Sequence, residues 1–463
     1  MTFPPADGRR PRTHAPSPRF PSRTGYVLLA LAVMAFTIYA SLLPFELRPR
    51  SISSAWAAFG TALMAPVDRI ARTNFLANIL LFVPIGFCLT GGLLLDRKPS
   101  LFVAPAAGLV VAASLTVSFT AEFLQVFAPS RVPSSLDILA QTIGCILGIA
   151  IWLVAGPGIT HWLRGAADRT RTDRLSRVLT GYAAAWLLVN LSPFDITLDP
   201  GTLAQRFRTG RITLVPFGGF PAGDPRMLWD ALVTTLTAVP LGLFGLVGWG
   251  ARSVRHSAGL AFAIGAGLVI LVEAAHVFIR SHSADTADVF FGSAGVALGV
   301  AAGVRMLPRD APLSACGAMR MDTRWAFVAL AAWGGVLCAY HWLPYDFVMD
   351  SQMVRAKLRS LSFVPFAGYH RGSDLAALNN ILVKIGLALP VGLASAFVIR
   401  TRLRARPGVA AVWAVGVLGL FSVVEAGQFF LPSRVPDPTD VFLGLAGSAA
   451  GLWLGRWMQA DRM

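Results

Sequence analysis

The stretch Glu122 to Gly148, E-F-L-Q-V-F-A-P-S-R-V-P-S-S-L-D-I-L-A-Q-T-I-G-C-I-L-G, ends one apolar run, turns through a proline-bracketed arginine and enters another. Its skeleton of Glu122, Gln125, Arg131, Asp137, Gly144 and Gly148 returns without a gap as Glu425, Gln428, Arg434, Asp440, Gly447 and Gly451. A divergent copy lies between them, with Glu273, His276, His282, Asp288, Gly295 and Gly299. The glutamates are 151 and 152 residues apart, and self-similarity at a fixed period marks one unit copied in tandem. An upstream pattern keeps the register: Asp68, Asn74, Pro84 and Gly86; Asp224, Asp230, Pro240 and Gly242; Asp374, Asn380, Pro390 and Gly392.

The 463-residue chain is 55% hydrophobic and 14% charged, with a mean hydropathy of +0.62, beyond the range of ordinary soluble domains. The fold class is therefore all-α and polytopic, with the lipid bilayer as its first partner. A net charge of +16 would suggest nucleic acid in a soluble chain. In a membrane chain such an excess sets orientation, and no nucleic-acid partner is expected. Cys88, Cys145, Cys316 and Cys338 form no framework spacing and are read as free thiols.

Four apolar stretches per unit give about twelve spans, near 26–43, 78–95, 101–127, 137–155, 178–194, 232–250, 258–279, 287–304, 325–345, 378–399, 408–430 and 439–458. The expected organisation is a disordered cytoplasmic tail over 1–24, repeats over 25–157, 178–307 and 325–458, and basic or short cytoplasmic linkers over 158–177 and 308–324. Lys and Arg number 24 in loops on the side of the N-terminus and 15 on the other, with Lys384 inside a span. Both termini are then expected in the cytoplasm, with the protein in a bacterial inner membrane. The long outer loops after spans 1, 5 and 9, holding L-V-P-F (Leu214 to Phe217) and F-V-P-F (Phe363 to Phe366), suit interfacial or re-entrant helices.

On this topology each Glu, Gln, Arg and Asp stands at the outer ends of the third and fourth spans. The first and third loops share P-S-R-V-P, Pro129 to Pro133 and Pro432 to Pro436, whose prolines stiffen the turn. Helical steps place the Asp and both glycines of the fourth span on one face, and the glycines are read as a packing notch whose nearest candidate neighbour is the third span. The Arg is expected between the Glu and the Asp, forking to both. Two readings stand for this cluster: a staple that pairs charge near hydrocarbon, or a binding site retained at a cost.

In the middle copy Glu273, His276, His282, Asp285 and Asp288 are ligand types for a metal, but no partner ligands on other helices are evident, so no metal and no cofactor are expected. Asn74, Asp230 and Asn380 read as helix caps at the mouth of the second span. Lys384, four residues further in, either snorkels to the surface or pairs with Glu425. There is no P-loop, nucleophile motif, zincin helix or dinucleotide fingerprint, so an enzyme is not the favoured class.

The strings N-I-L-L-F-V-P-I-G-F (Asn78 to Phe87), E-F-L-Q-V-F-A-P-S-R (Glu122 to Arg131) and L-D-I-L-A-Q-T-I-G (Leu136 to Gly144) resemble the VanZ-like family, named for a teicoplanin-resistance protein. The resemblance is specific in the first copy, good around E-A-G-Q-F-F-L-P-S-R (Glu425 to Arg434) in the third and weak in the second. It implies an envelope membrane protein linked to glycopeptide tolerance, and no known reaction. The function expected is contact with an envelope component, a cell-wall precursor, glycan or lipid, through outward-facing polar sites that suit an anionic ligand. The competing classes are a multi-span transporter and a membrane hydrolase or transferase using paired carboxylates.

Overall fold

Inside a bilayer every backbone N–H and C=O must be satisfied within the chain, so apolar runs of this length become helices. The computed structural model describes residues 21–65, 72–97, 102–167, 171–192, 195–216, 225–248, 254–306, 323–371, 374–402 and 408–459. The expectations for the tail up to residue 20, Asp68, Asp224, Phe217, Cys316 and most of the second linker lie outside them.

The described residues form fifteen α-helices, one short 3-10 helix (Ala367–Arg371) and one two-stranded parallel contact. In order, α1 (Arg23–Ser41), α2 (Ile52–Met64), α3 (Arg72–Leu94), α4 (Val103–Gln125) and α5 (Ser135–Ala167) make up the first copy. The same order recurs in α6 (Arg171–Leu191), α7 (Pro200–Arg208), α8 (Pro225–Gly248), α9 (Val254–His276) and α10 (Thr286–Met306). It recurs again in α11 (Thr323–Trp342), α12 (Ser351–Arg359), α13 (Asp374–Arg402), α14 (Val409–Gln428) and α15 (Pro438–Gln459). Strand β1 (Ile212–Thr213) pairs with β2 (Ala284–Asp285) in the middle copy.

Among the described residues nine helices are long and apolar enough to cross a membrane. The other three of the expected twelve are α6 and α11, whose apolar parts are Leu175–Leu191 and Ala326–Trp342, and α15, diluted by four glycines, Asp440 and Arg456. Helices α2, α7 and α12 are the short elements of the long loops. Basic residues crowd the last turn of α7 and of α12, where cations meet the negative end of the helix dipole.

The chain divides into two compact units. The first, residues 1–168 with 369–378, contains the first copy. Its core centres on Tyr26, Phe87 and Trp152 in edge-to-face contact, with the Tyr26 hydroxyl 2.9 Å from Thr160 Oγ1. The second, residues 169–368 and 379–463, holds the middle and last copies. There the Trp229 and Tyr340 rings meet at 5.3 Å.

The glycine notch has a different partner from the one its spacing suggested. A Cβ on Gly144 or Gly148 would strike the carbonyl oxygens of Ile79 and Val83 in α3; on Gly295 or Gly299, those of Thr235 and Val239 in α8; on Gly447 or Gly451, those of Ile385 and Leu389 in α13. The fourth span therefore crosses the second, not the third. The reason is reciprocal: Gly86, Gly242 and Gly392 of the upstream pattern face the carbonyls of Cys145, Val296 and Ser448. Both helices carry a notch at the same height, so their backbones touch.

Candidate functional site

Glu122 closes the last turn of α4 and is 1% exposed. Gln125, one turn on, donates from Nε2 to Oε1 at 3.3 Å, and the Ser134 backbone N–H donates to Oε2 at 2.9 Å. In the last copy Gln428 Nε2 donates to Glu425 Oε1 at 2.6 Å, and the Asp437 N–H donates to Oε2 at 3.1 Å. Each carboxylate thus takes its bonds from the helix turn below and from the loop returning into the fourth span. In the middle copy His276 Nδ1 lies 3.1 Å from Glu273 Oε1, and among the described residues Glu273 Oε2 is buried without a partner.

The aspartates take partners from the second span, at a position the sequence pattern did not flag. Asn78, Thr234 and Lys384 each stand six residues before the helix proline (Pro84, Pro240, Pro390). Asn78 Nδ2 donates to Asp137 Oδ1 at 3.1 Å, Thr234 Oγ1 to Asp288 Oδ1 at 3.4 Å, and Lys384 Nζ pairs with Asp440 Oδ2. Lys384 therefore settles on Asp440 rather than on Glu425 or the surface. In the first copy the network runs on: Gln141 Nε2 donates to Asn78 Oδ1 at 3.0 Å, and Ser118 Oγ donates to Gln141 Oε1. At the corresponding positions the other copies swap this polar pair for an apolar one, Val269 over Gly292 and Phe421 over Gly444. Asp230 and Asn380 lie inside α8 and α13, five and six residues past Pro225 and Asp374, and Asn74 lies in the first turn of α3, so none of the three stands at the helix cap.

The arginine does not fork between the carboxylates among the described residues. Arg434 donates from Nε to the Leu343 carbonyl at 2.7 Å, just past the end of α11. His282 Nε2 donates to the corresponding carbonyl of Ser192 at 2.6 Å, and Arg131 Nη2 lies 3.5 Å from the Ala40 carbonyl at the end of α1. A span that ends leaves carbonyls without intrahelical partners, and the loop's basic side chain satisfies one of them. Main-chain bonds of 2.8 Å tie the same region in every copy: Arg48 to Phe127, Thr197 to Phe278 and Val348 to Phe430. Ser281 and Ser433, one residue before His282 and Arg434, bond to Asp195 and Asp346.

Two further cations complete the site end. Lys357 of α12 reaches the carbonyls of Gln428, Leu431 and Arg434 at 2.5 to 3.0 Å. Arg206 of α7, 151 residues earlier, reaches those of His276, Val277 and His282 at 2.6 to 3.0 Å. Burial pushes both groups below their usual ranges, and Arg211 adds to this at Arg206. The 151-residue offset between two short amphipathic helices was the available signal. Helix α2 has no basic residue; it packs Trp56 and Phe59 on Phe123 instead.

The groups able to hold a metal are distributed differently from the sequence pattern. In the middle copy His276 Nε2 donates to the Asn190 carbonyl at 2.8 Å, and its ring stacks on that of His282 at 4.5 Å. Both imidazoles are thereby committed to holding the loop on α6. In the last copy His341, from α11, joins Glu425 and Asp440, their donor atoms lying within 4.8 Å of one another and all three buried. Lys384 already rests on that Asp440, so the chain supplies the positive charge itself.

No curated protein and no solved structure matches the chain. The two copies that keep the Gln, the loop arginine and the P-S-R-V-P turn are also the two that a family model recognises. Because that model covers residues 25–156 and 327–459, more than half of the sequence, the chain belongs to the VanZ/LLP1 family.

Proposed function

We propose that this multi-pass VanZ/LLP1 protein sits in a bacterial cytoplasmic membrane with both termini inside. Its first and last copies bind an anionic envelope component, a cell-wall precursor, glycan or lipid, at their outward-facing ends. One observation, made in the last copy, carries this reading: Arg434 uses its Nε on the Leu343 carbonyl, and among the described residues its terminal nitrogens have no hydrogen-bond partner, whereas Arg131 of the first copy turns its Nη2 to the Ala40 carbonyl. A guanidinium anchored through Nε and flanked by Pro432 and Pro436 presents a fixed planar edge, the geometry that takes phosphate or carboxylate through two parallel bonds. The buried Glu425–Gln428–Asp437 contacts below it hold the loop in place, a supporting role. The middle copy lacks the fork and serves architecture. The absence of a recognisable nucleophile favours binding over catalysis. The test is whether Arg434→Lys, which keeps the charge and removes the planar edge, abolishes complementation of a glycopeptide-sensitivity or envelope-stress phenotype while the protein stays in the membrane.

A further inference from the structure

The middle copy carries a surface feature that its motif leaves unexplained. A groove of about 610 Å³ is lined by Leu203, Ala204 and Phe207 of α7 and by Ile212, Leu214 and Val277, with Arg208 the charged residue on its wall. Phe207 is 53% and Leu214 63% exposed, so the apolar wall opens outward. Helix α7 is held in place from its other side, because Arg206 is buried on the carbonyls at the end of α9. The groove therefore exists before anything occupies it. Arg208 and Arg211 are both exposed, and Arg211 is steadied by donating from Nη1 to the Arg280 carbonyl at 3.1 Å.

A short amphipathic helix at the end of a span lies at headgroup depth, where apolar side chains meet acyl chains and basic ones meet phosphate. We propose that this groove holds an acyl chain of an anionic phospholipid from the surrounding leaflet, with Arg208 and Arg211 taking its phosphate. The sign of the charge selects the lipid class, and the lining selects the chain. In the last copy Arg355 stands at the place of Ala204, so a charged stem replaces the small residue that leaves the middle groove open.

The full chain, purified in detergent and incubated with equimolar phosphatidylglycerol and phosphatidylcholine, is examined by native mass spectrometry. The wild type should retain phosphatidylglycerol preferentially. Arg208→Gln with Arg211→Gln should erase the preference, at about fivefold for each arginine, without changing retention of phosphatidylcholine. Ala204→Trp, which fills the groove, should reduce both adducts. Equal retention of the two lipids by the wild type, or wild-type preference in the arginine double variant, would overturn the proposal. So would a two-chain mass that Ala204→Trp removes, since a second copy would then occupy the groove.

Discussion

Lys384 of the second span and Asp440 of the fourth form a buried ion pair at the position where the first copy sets Asn78 against Asp137 and the middle copy Thr234 against Asp288. One contact is thus made with an ammonium, an amide and a hydroxyl. In each case the acceptor stands in the first turn of the fourth helix, where the helix dipole favours a carboxylate.

Removing one partner of such a pair strands the other. Lys384→Met should cost about 3 to 5 kcal/mol, and adding Asp440→Asn should recover part of it. Thermal unfolding in detergent of both singles and the double measures the coupling. Strict additivity would mean that the two groups do not interact.

The crossing of second and fourth spans tolerates no added methyl group. Gly148→Ala, against the Val83 carbonyl, and Gly392→Ala, against that of Ser448, should each destabilise by about 1 to 3 kcal/mol or more. Gly416→Ala, facing open space in α14, should be neutral or slightly stabilising in the same assay. Equal effects at all three positions would contradict the packing described.

Lys357 bonds three carbonyls at and just beyond the end of α14, two of which, those of Gln428 and Leu431, also accept the backbone N–H of Leu431 and Arg434. Lys357→Met should lower the thermal midpoint well beyond Arg359→Met, since a bond to a charged group contributes about 1.5 to 3 kcal/mol when a buried partner is left behind. Equal midpoints for the two variants would show that Lys357 is held there without stabilising the site.

These contacts divide by how visibly they repeat. The Glu, Asp and Gly positions recur as identical residues, so the register and the place of the Glu and Asp where one long helix turns into the next were legible. The second-span partner was not, because Asn78, Thr234 and Lys384 share a place and a role but no residue type. The identical Asn74 and Asn380, four residues earlier, drew attention to the wrong turn. The glycine notch was visible while its partner helix was not, because spacing shows which face is small and only the matching Gly86, Gly242 and Gly392 decide what it meets. His341 and Lys357 come from elements far from the motif, and only the fold brings them to Glu425 and Arg434.

The loop charges, 24 Lys and Arg against 15, predict that both termini lie in the cytoplasm. Alkaline phosphatase fused after Arg131, Arg280 or Arg434 should be active, and fused after Arg174 or Arg402 inactive. The reverse pattern would place the sites in the cytoplasm and remove any contact with the outer envelope.

The most direct measurement is complementation of a deletion strain by Arg131→Lys, Arg434→Lys and His282→Ala, scored by growth under a glycopeptide with membrane protein quantified for each variant. If the first and last copies bind an anionic ligand through a planar fork, both lysine variants lose complementation at normal protein levels and His282→Ala retains it. Equal impairment in all three, or loss only where the protein itself disappears, would contradict that claim and leave the loop residues as staples between spans.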